Sequence, residues 1–148
     1  MKKGTVVTDF ISFVKKCPSA FHTVDTVRER LLAQGYTELF EGDNWELADG
    51  GKYFTEKNLS SIVAFRYNAK AEGFTVTASH SDFPSFRVKP SGADNGGKYT
   101  RLCTERYGGM INYSWFDRPL SVAGRITVKQ DTGLKVKLVD IKDPCALI

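Results

Sequence analysis

The sequence predicts an α/β fold in which two helices precede about seven strands, with no regular alternation between the two kinds of element. Two observations carry this. Up to Gly35 the apolar residues recur every three or four positions, and beyond it they alternate. Clusters of turn-forming residues (DGGK, NAKAEG, PSGADNGG, YGG and QDTG) then cut the second part into short segments. A chain of 148 residues suits one ordinary domain, and 41% hydrophobic with 26% charged residues is the mix of a soluble globular protein.

The first helix is expected from the apolar face of Phe10, Ile11, Phe13 and Val14, with Thr8 or Asp9 as the candidate N-cap. Pro18 interrupts it, and Ser19 is placed to cap a second helix. In that helix Phe21, Val24, Val27, Leu31 and Leu32 keep a three-to-four spacing, and Gly35 stands where a C-terminal cap belongs. Strands are expected over residues 52–55, 61–67, 74–79, 85–89, 99–106, 122–129 and 134–141.

The last two strands flank a short DTG connection and read as a hairpin. Its apolar positions are Val122, Ile126 and Val128, then Leu134, Val136 and Leu138. A two-stranded hairpin is marginal in water unless such residues pack on something, so the segment over residues 99–141 is expected to self-associate or to belong to a larger assembly. The ending KDPCALI places Ala146, Leu147 and Ile148 either as the start of another apolar element or as the end of a buried strand.

Charge and cysteine usage exclude several classes. The 21 Lys and Arg against 17 Asp and Glu leave a net charge of +4. These basic residues are scattered, with doublets only at Lys2-Lys3 and Lys15-Lys16. A nucleic-acid partner is therefore not expected. Three cysteines, Cys17, Cys103 and Cys145, give neither a disulfide framework nor a closely spaced zinc site, which points to a reduced, cytoplasmic protein. No apolar run approaches the roughly 20 residues of a membrane helix, and MKKGTVVTDFISF lacks the form of a signal peptide.

The stretch VTASHSDFPSFRVKP, residues 76–90, holds His80, one of two histidines, with a carboxylate two places on at Asp82. On an extended strand such residues share a face. A metal-bound histidine usually donates its other ring N–H to a carboxylate or carbonyl. His80 and Asp82 thus have the form of a metal ligand with its supporting acid, and Pro84 leaves them at a strand mouth. The pattern is only three residues long, and a histidine that merely ends a strand reads the same. A catalytic zinc needs three or more protein ligands, and His22, between Phe21 and Thr23, reads as a half-exposed helix residue instead. In TERYGGMINYSWFDRPLSVAGRI, residues 104–126, Gly108-Gly109 marks a turn needing positive φ or close approach. Asp117-Arg118 before Pro119 is a candidate salt-bridged corner, and Trp115 and Phe116 are core or interface residues.

Taken in order, FISFVKKCPSAFHTVDTVRERLLAQGY, GGKYFTEKNLSSIVAF, HSDFPSFRVKP and ERYGGMINYSWFDRPLSVAGRI resemble the aspartyl aminopeptidase family of dinuclear zinc aminopeptidases over nearly the whole chain. The resemblance implies that residues 1–88 begin a three-layer α/β zinc-peptidase domain with a mixed sheet. Residues 89–148 would then begin an inserted β-rich dimerisation domain. It implies that His80 is a metal ligand, that Asp82 orients it, and that the complete site holds two zinc ions. The other ligands and the glutamate general base of the family lie beyond the matched sequence. The chain thus looks like the N-terminal third of such an enzyme, inactive alone, and its ending like a cut inside an element. Phe83 departs from the small polar residue of many relatives and stands to alter the pocket's shape.

The implied reaction is hydrolysis of the N-terminal peptide bond of a peptide, with acidic N-terminal residues as one candidate preference. The metals would polarise the scissile carbonyl and acidify a water. Implied partners are the peptide and a homo-oligomer built from dimers, up to a dodecamer. The alternative is a non-catalytic oligomerisation or regulatory module derived from the same family.

Overall fold

The computed structural model describes residues 3–94 and 96–146, apart from the side chains of residues 3, 4, 91, 92 and 144–146. Helix α1 spans Lys3–Lys15 and α2 spans Ala20–Ala33. The first starts well before the expected cap, so Thr8 and Asp9 lie inside it. No proline interrupts the chain there, and a helix once nucleated propagates through a potential capping residue. Its extension adds Val6 and Val7 to Phe10, Ile11 and Val14 on one stripe, and all five are exposed.

The second helix is capped as its sequence requires. Ser19 is extended, its hydroxyl accepts from the His22 N–H at 3.4 Å, and Pro18 precedes it. At the other end Gly35 takes φ 76°, its N–H donates to the Leu32 carbonyl, and the Tyr36 N–H donates to the Leu31 carbonyl. This pair of bonds satisfies two carbonyls that the helix end leaves free.

A three-stranded mixed sheet follows, made of β1 (Thr37–Glu38), β2 (Lys52–Lys57) and β3 (Ser61–Arg66). Strand β1, too short to show a periodicity, pairs parallel to β2, while β2 and β3 are antiparallel. Consecutive residues Tyr53 and Phe54 are both buried, so both faces of β2 are covered. Tyr53 lies opposite Phe65 with ring centres 5.7 Å apart, and Trp45 stacks on Phe65 at 6.4 Å. The other face belongs to Phe54, with no exposed surface, and to Glu56. Arg28 of α2 reaches Glu56 and Glu38, which sets α2 over that face, where Val24 is 1% exposed.

Arg28 donates to both Glu38 oxygens, at 2.7 and 3.4 Å. Its Nε also lies 3.1 Å from Glu56 Oε1, an ionic contact only, since that oxygen accepts no hydrogen bond. Burial, followed by the neighbouring Glu38 charge, pushes the Glu56 carboxyl above its ordinary range.

The rest of the chain forms two antiparallel pairs: β4 (Ser85–Asp94) with β5 (Arg101–Tyr107), and β6 (Leu120–Gln130) with β7 (Gly133–Ala146). A 3₁₀ turn, Asn112–Trp115, separates the pairs, and Trp115 packs edge-on against Phe86 at 5.6 Å. Strand β4 runs through Pro90 into the segment expected to turn, with a register shift between Val88 and Ala93. Proline cannot donate to a ladder, and the shift at an irregularity accommodates it.

Strands β6 and β7 form the expected hairpin, Gln130 pairing with Gly133 across Asp131-Thr132. Its register divides the apolar positions between two faces. Val122, Ile126 and Val128 share a face with Val139 and Ile141, whereas Leu134, Val136 and Leu138 lie opposite Lys129, Thr127 and Arg125 on the other. Arg125 ties the hairpin to the N-terminal half by donating to the Asn58 carbonyl at 2.9 Å and capping the Phe21 ring at 4.5 Å.

Two further expectations differ. Residues 74–79 form no strand, and Phe74 and Val76 are 99% and 81% exposed; among the described residues no strand pairs with them. Asp117 and Arg118 make no ion pair among the described residues; Asp117 instead adopts φ 54° in a turn. Cys17 and Cys103 are free, while the Cys145 side chain, Leu147 and Ile148 lie outside what is described. Among the described residues no helix is long and apolar enough to cross a membrane.

A Cβ at Gly35 would meet nothing within 4 Å, so replacing this glycine costs backbone conformation alone. Gly35→Ala should destabilise the fold by about 1–2 kcal/mol, read as a lower midpoint of denaturant unfolding. Gly35→Asn should lose less, since asparagine tolerates the left-handed region.

Candidate metal centre

The site lies at the N-terminal mouth of β4, not at the end of a preceding apolar strand. Residues 80–84 lead into Ser85 without pairing. Alternate residues fix this segment to the N-terminal half. The Ser81 hydroxyl donates to the Ser60 carbonyl at 3.0 Å, beside the turn between β2 and β3. Phe83 lines an apolar cleft with Phe13, Val14, Cys17, Pro18 and Thr23. Phe83 therefore packs toward the corner between the helices, where it anchors the segment.

His80 and Asp82 come together as expected, though not on a strand. His80 Nδ1 lies 2.6 Å from the Asp82 backbone carbonyl and 3.3 Å from Asp82 Oδ1. Both partners are acceptors, which assigns the proton to Nδ1 and leaves the lone pair on Nε2. The shorter contact is to the carbonyl, which any residue at position 82 would supply. The imidazole is 80% exposed, so Nε2 is open to a ligand.

Two residues not singled out from the sequence complete the arrangement. The Tyr107 hydroxyl donates to Asp82 Oδ2, and the Arg87 guanidinium sits 3.5 Å above the centre of the Tyr107 ring. Strand pairing brings them there, since Ser85 lies opposite Tyr107 and Phe86 opposite Arg106. The Tyr107 hydrogen bond, helped by the nearby His80 and Arg87, holds the Asp82 carboxyl below its ordinary 3.8. The same bond holds the Tyr107 phenol above its ordinary 10.0. Tyr107 lies within ERYGG, but the 25 residues separating it from Asp82 gave no signal of contact.

As a single ligand, His80 fits a metal: one nitrogen is fixed by acceptors and the other is free and exposed. As a complete centre the described residues do not suffice, because no three His, Cys, Asp or Glu side chains among them converge. His22 is half-buried on α2 with Nδ1 2.8 Å from the Ser19 hydroxyl, remote from any such role.

The sequence matches the family model described as aminopeptidase I zinc metalloprotease (M18) over residues 13–148. It is 41% identical over 146 residues to a probable M18 family aminopeptidase 2 of Clostridium acetobutylicum, covering 93% of this chain and 33% of that protein. It is 39% identical over 143 residues to an aspartyl aminopeptidase of Caenorhabditis elegans, covering 95% of this chain and 30% of the relative. Its fold superposes on the S. cerevisiae mApe1 dodecamer structure with a TM-score of 0.85 at 32% identity, covering 94% of this chain and 34% of that one. The chain thus spans about a third of the length of the curated relatives it matches.

The Tyr107–Asp82 bond makes stability depend on pH at both extremes. Asp82, with its folded pKa depressed, contributes stability above 3.8 that is lost as pH falls through the lower folded value. Tyr107, with its folded pKa raised, contributes stability below 10.0 that is lost as pH rises through the higher folded value. The gap in unfolding midpoint between the parent protein and Tyr107→Phe should therefore be widest between those limits and close beyond them. A gap of constant size from strong acid to strong base would contradict this.

Proposed function

The chain belongs to the M18 family of aminopeptidase I zinc metalloproteases, and from that premise we propose that it forms the N-terminal part of a metal-dependent aminopeptidase. His80 supplies one metal ligand through Nε2, and Asp82 orients the ring through its carbonyl and carboxylate. The observation that carries this reading is the fixed Nδ1 with an open, exposed Nε2. Zinc, two ions per complete site, would polarise the scissile carbonyl and acidify a water. This chain's own contribution is to hold the His80 lone pair in one direction and keep its proton on Nδ1. The remaining ligands and the general base come from outside the described residues, and the substrate is the N-terminal end of a peptide.

Two further features of the reading concern architecture. Residues 1–88 belong to the catalytic domain and residues 89–148 to an inserted β-rich domain that mediates assembly. The hairpin carries apolar residues on both faces, with Ile126, Leu134, Val136 and Ile141 exposed. Such a surface suits a homo-oligomer, and the related mApe1 structure is a dodecamer. The protein is assigned to the cytoplasm, in line with its free Cys17 and Cys103.

A second reading, a non-catalytic assembly module of the same family, is favoured by one observation, the lack of three converging ligands among the described residues. The 148-residue chain by itself should show no aminopeptidase turnover on aminoacyl chromogenic substrates with zinc, manganese or cobalt, whereas the full-length protein containing it should turn over. Metal-dependent activity of the short chain near that of an intact enzyme would refute the reading, and an inactive full-length protein would favour the module.

Within the full-length protein, His80→Ala should strip one metal per subunit and abolish turnover. Asp82→Asn should keep most of the metal and cost about 10-fold, the mild end of the usual range for a residue behind a ligand, because the backbone carbonyl stays at Nδ1. Metal content by mass spectrometry beside kinetics separates the two, and full occupancy in both would sink the assignment.

A further inference from the structure

We infer that Tyr107 is a positioning residue for the metal centre: its hydroxyl anchors residue 82 so that both acceptors of that residue face His80 Nδ1. The inference rests on the reading of His80 as a ligand. Asp82 precedes β4 and belongs to no strand, so no ladder bond holds it. Its carboxylate has two oxygens, with Oδ1 3.3 Å from His80 Nδ1 and Oδ2 accepting from Tyr107. A carboxylate held at one oxygen presents the other in a fixed direction, and the carbonyl of the same residue then stays 2.6 Å from the ring nitrogen.

Tyr107 is itself held on three sides. It pairs with Ser85 across the ladder, and Arg87 lies 3.5 Å over its ring. The next residue, Gly108, takes φ 78°, and a Cβ there would stand 3.3 Å from Pro84 Cα. The chain after Tyr107 thus lies against the chain after Asp82, and the hydroxyl has little freedom to move away from the carboxylate. Arg87, Tyr107, Asp82 and His80 form a relay in which each side chain is aimed by the one before it.

The test uses the full-length protein, with zinc affinity measured by chelator competition and the visible spectrum of the cobalt-substituted form as a readout independent of activity. Tyr107→Phe should weaken zinc binding roughly tenfold and alter the cobalt spectrum. In an Asp82→Ala background the same change should cost almost nothing, since the group through which Tyr107 acts is gone. Wild-type affinity and spectrum for Tyr107→Phe overturn the inference, as does an equal loss with and without Asp82. Should Tyr107→Phe fail to fold, Arg87→Leu carries the test, with a smaller loss expected and wild-type affinity overturning it. His80→Ala serves as the control: if it retains full metal, the ligand reading itself fails. If it loses metal while Tyr107→Phe binds normally, only the role of Tyr107 falls.

Discussion

Ser85 pairs with Tyr107 at the mouth of β4, and the chains on either side lie so close that Gly108 has no room for a side chain beside Pro84 without movement. The site depends on this contact. It sets the Asp82 carboxylate within reach of the Tyr107 hydroxyl, and Asp82 in turn faces the His80 ring. A slip of one residue in this ladder would turn the Tyr107 side chain to the opposite face. The hydrogen bond, the cation over the ring and the orientation of His80 would all go with it. Glycine at position 108 meets both demands, a positive φ and a close approach, which no residue with a Cβ meets without strain.

The same segment is held from its other side by the N-terminal half. Phe54 and Val24 are withdrawn from solvent between α2 and the mixed sheet, and Arg28 binds the helix to β1 and β2 through Glu38 and Glu56. Ser81 and Phe83 then fasten the segment to the β2–β3 turn and to the corner between the helices. His80 is accordingly exposed but not loosely attached. Ser81 and Phe83, on either side of Asp82, are tied to the N-terminal half, and Asp82 itself is tied to Tyr107 of β5.

Elsewhere much apolar surface is uncovered. The stripe Val6, Val7, Phe10, Ile11 and Val14 on α1 faces solvent, as do Phe74 and Val76. The hairpin adds apolar residues on both of its faces.

The sequence by itself determined the elements whose signals are local. Ser19 and Gly35 bounded α2 because a cap is a matter of one side chain and one dihedral angle. Alternation located six of the seven expected strands, and Asp131-Thr132 closed the hairpin as a short loop. The pairing of His80 with Asp82 was also legible, since residues two apart meet in any extended chain. Residues 74–79 have the composition of a strand, but a strand exists only where a neighbour supplies hydrogen bonds, and among the described residues none pairs with them. Which face each apolar set of the hairpin takes follows only from the register, which puts the two sets on opposite sides. Tyr107 and Arg87 were invisible as site residues because 25 residues of chain separate Tyr107 from Asp82. Periodicity and capping act over a few residues, whereas register and cross-strand contact are set by which segments meet. Only the tertiary structure decided that.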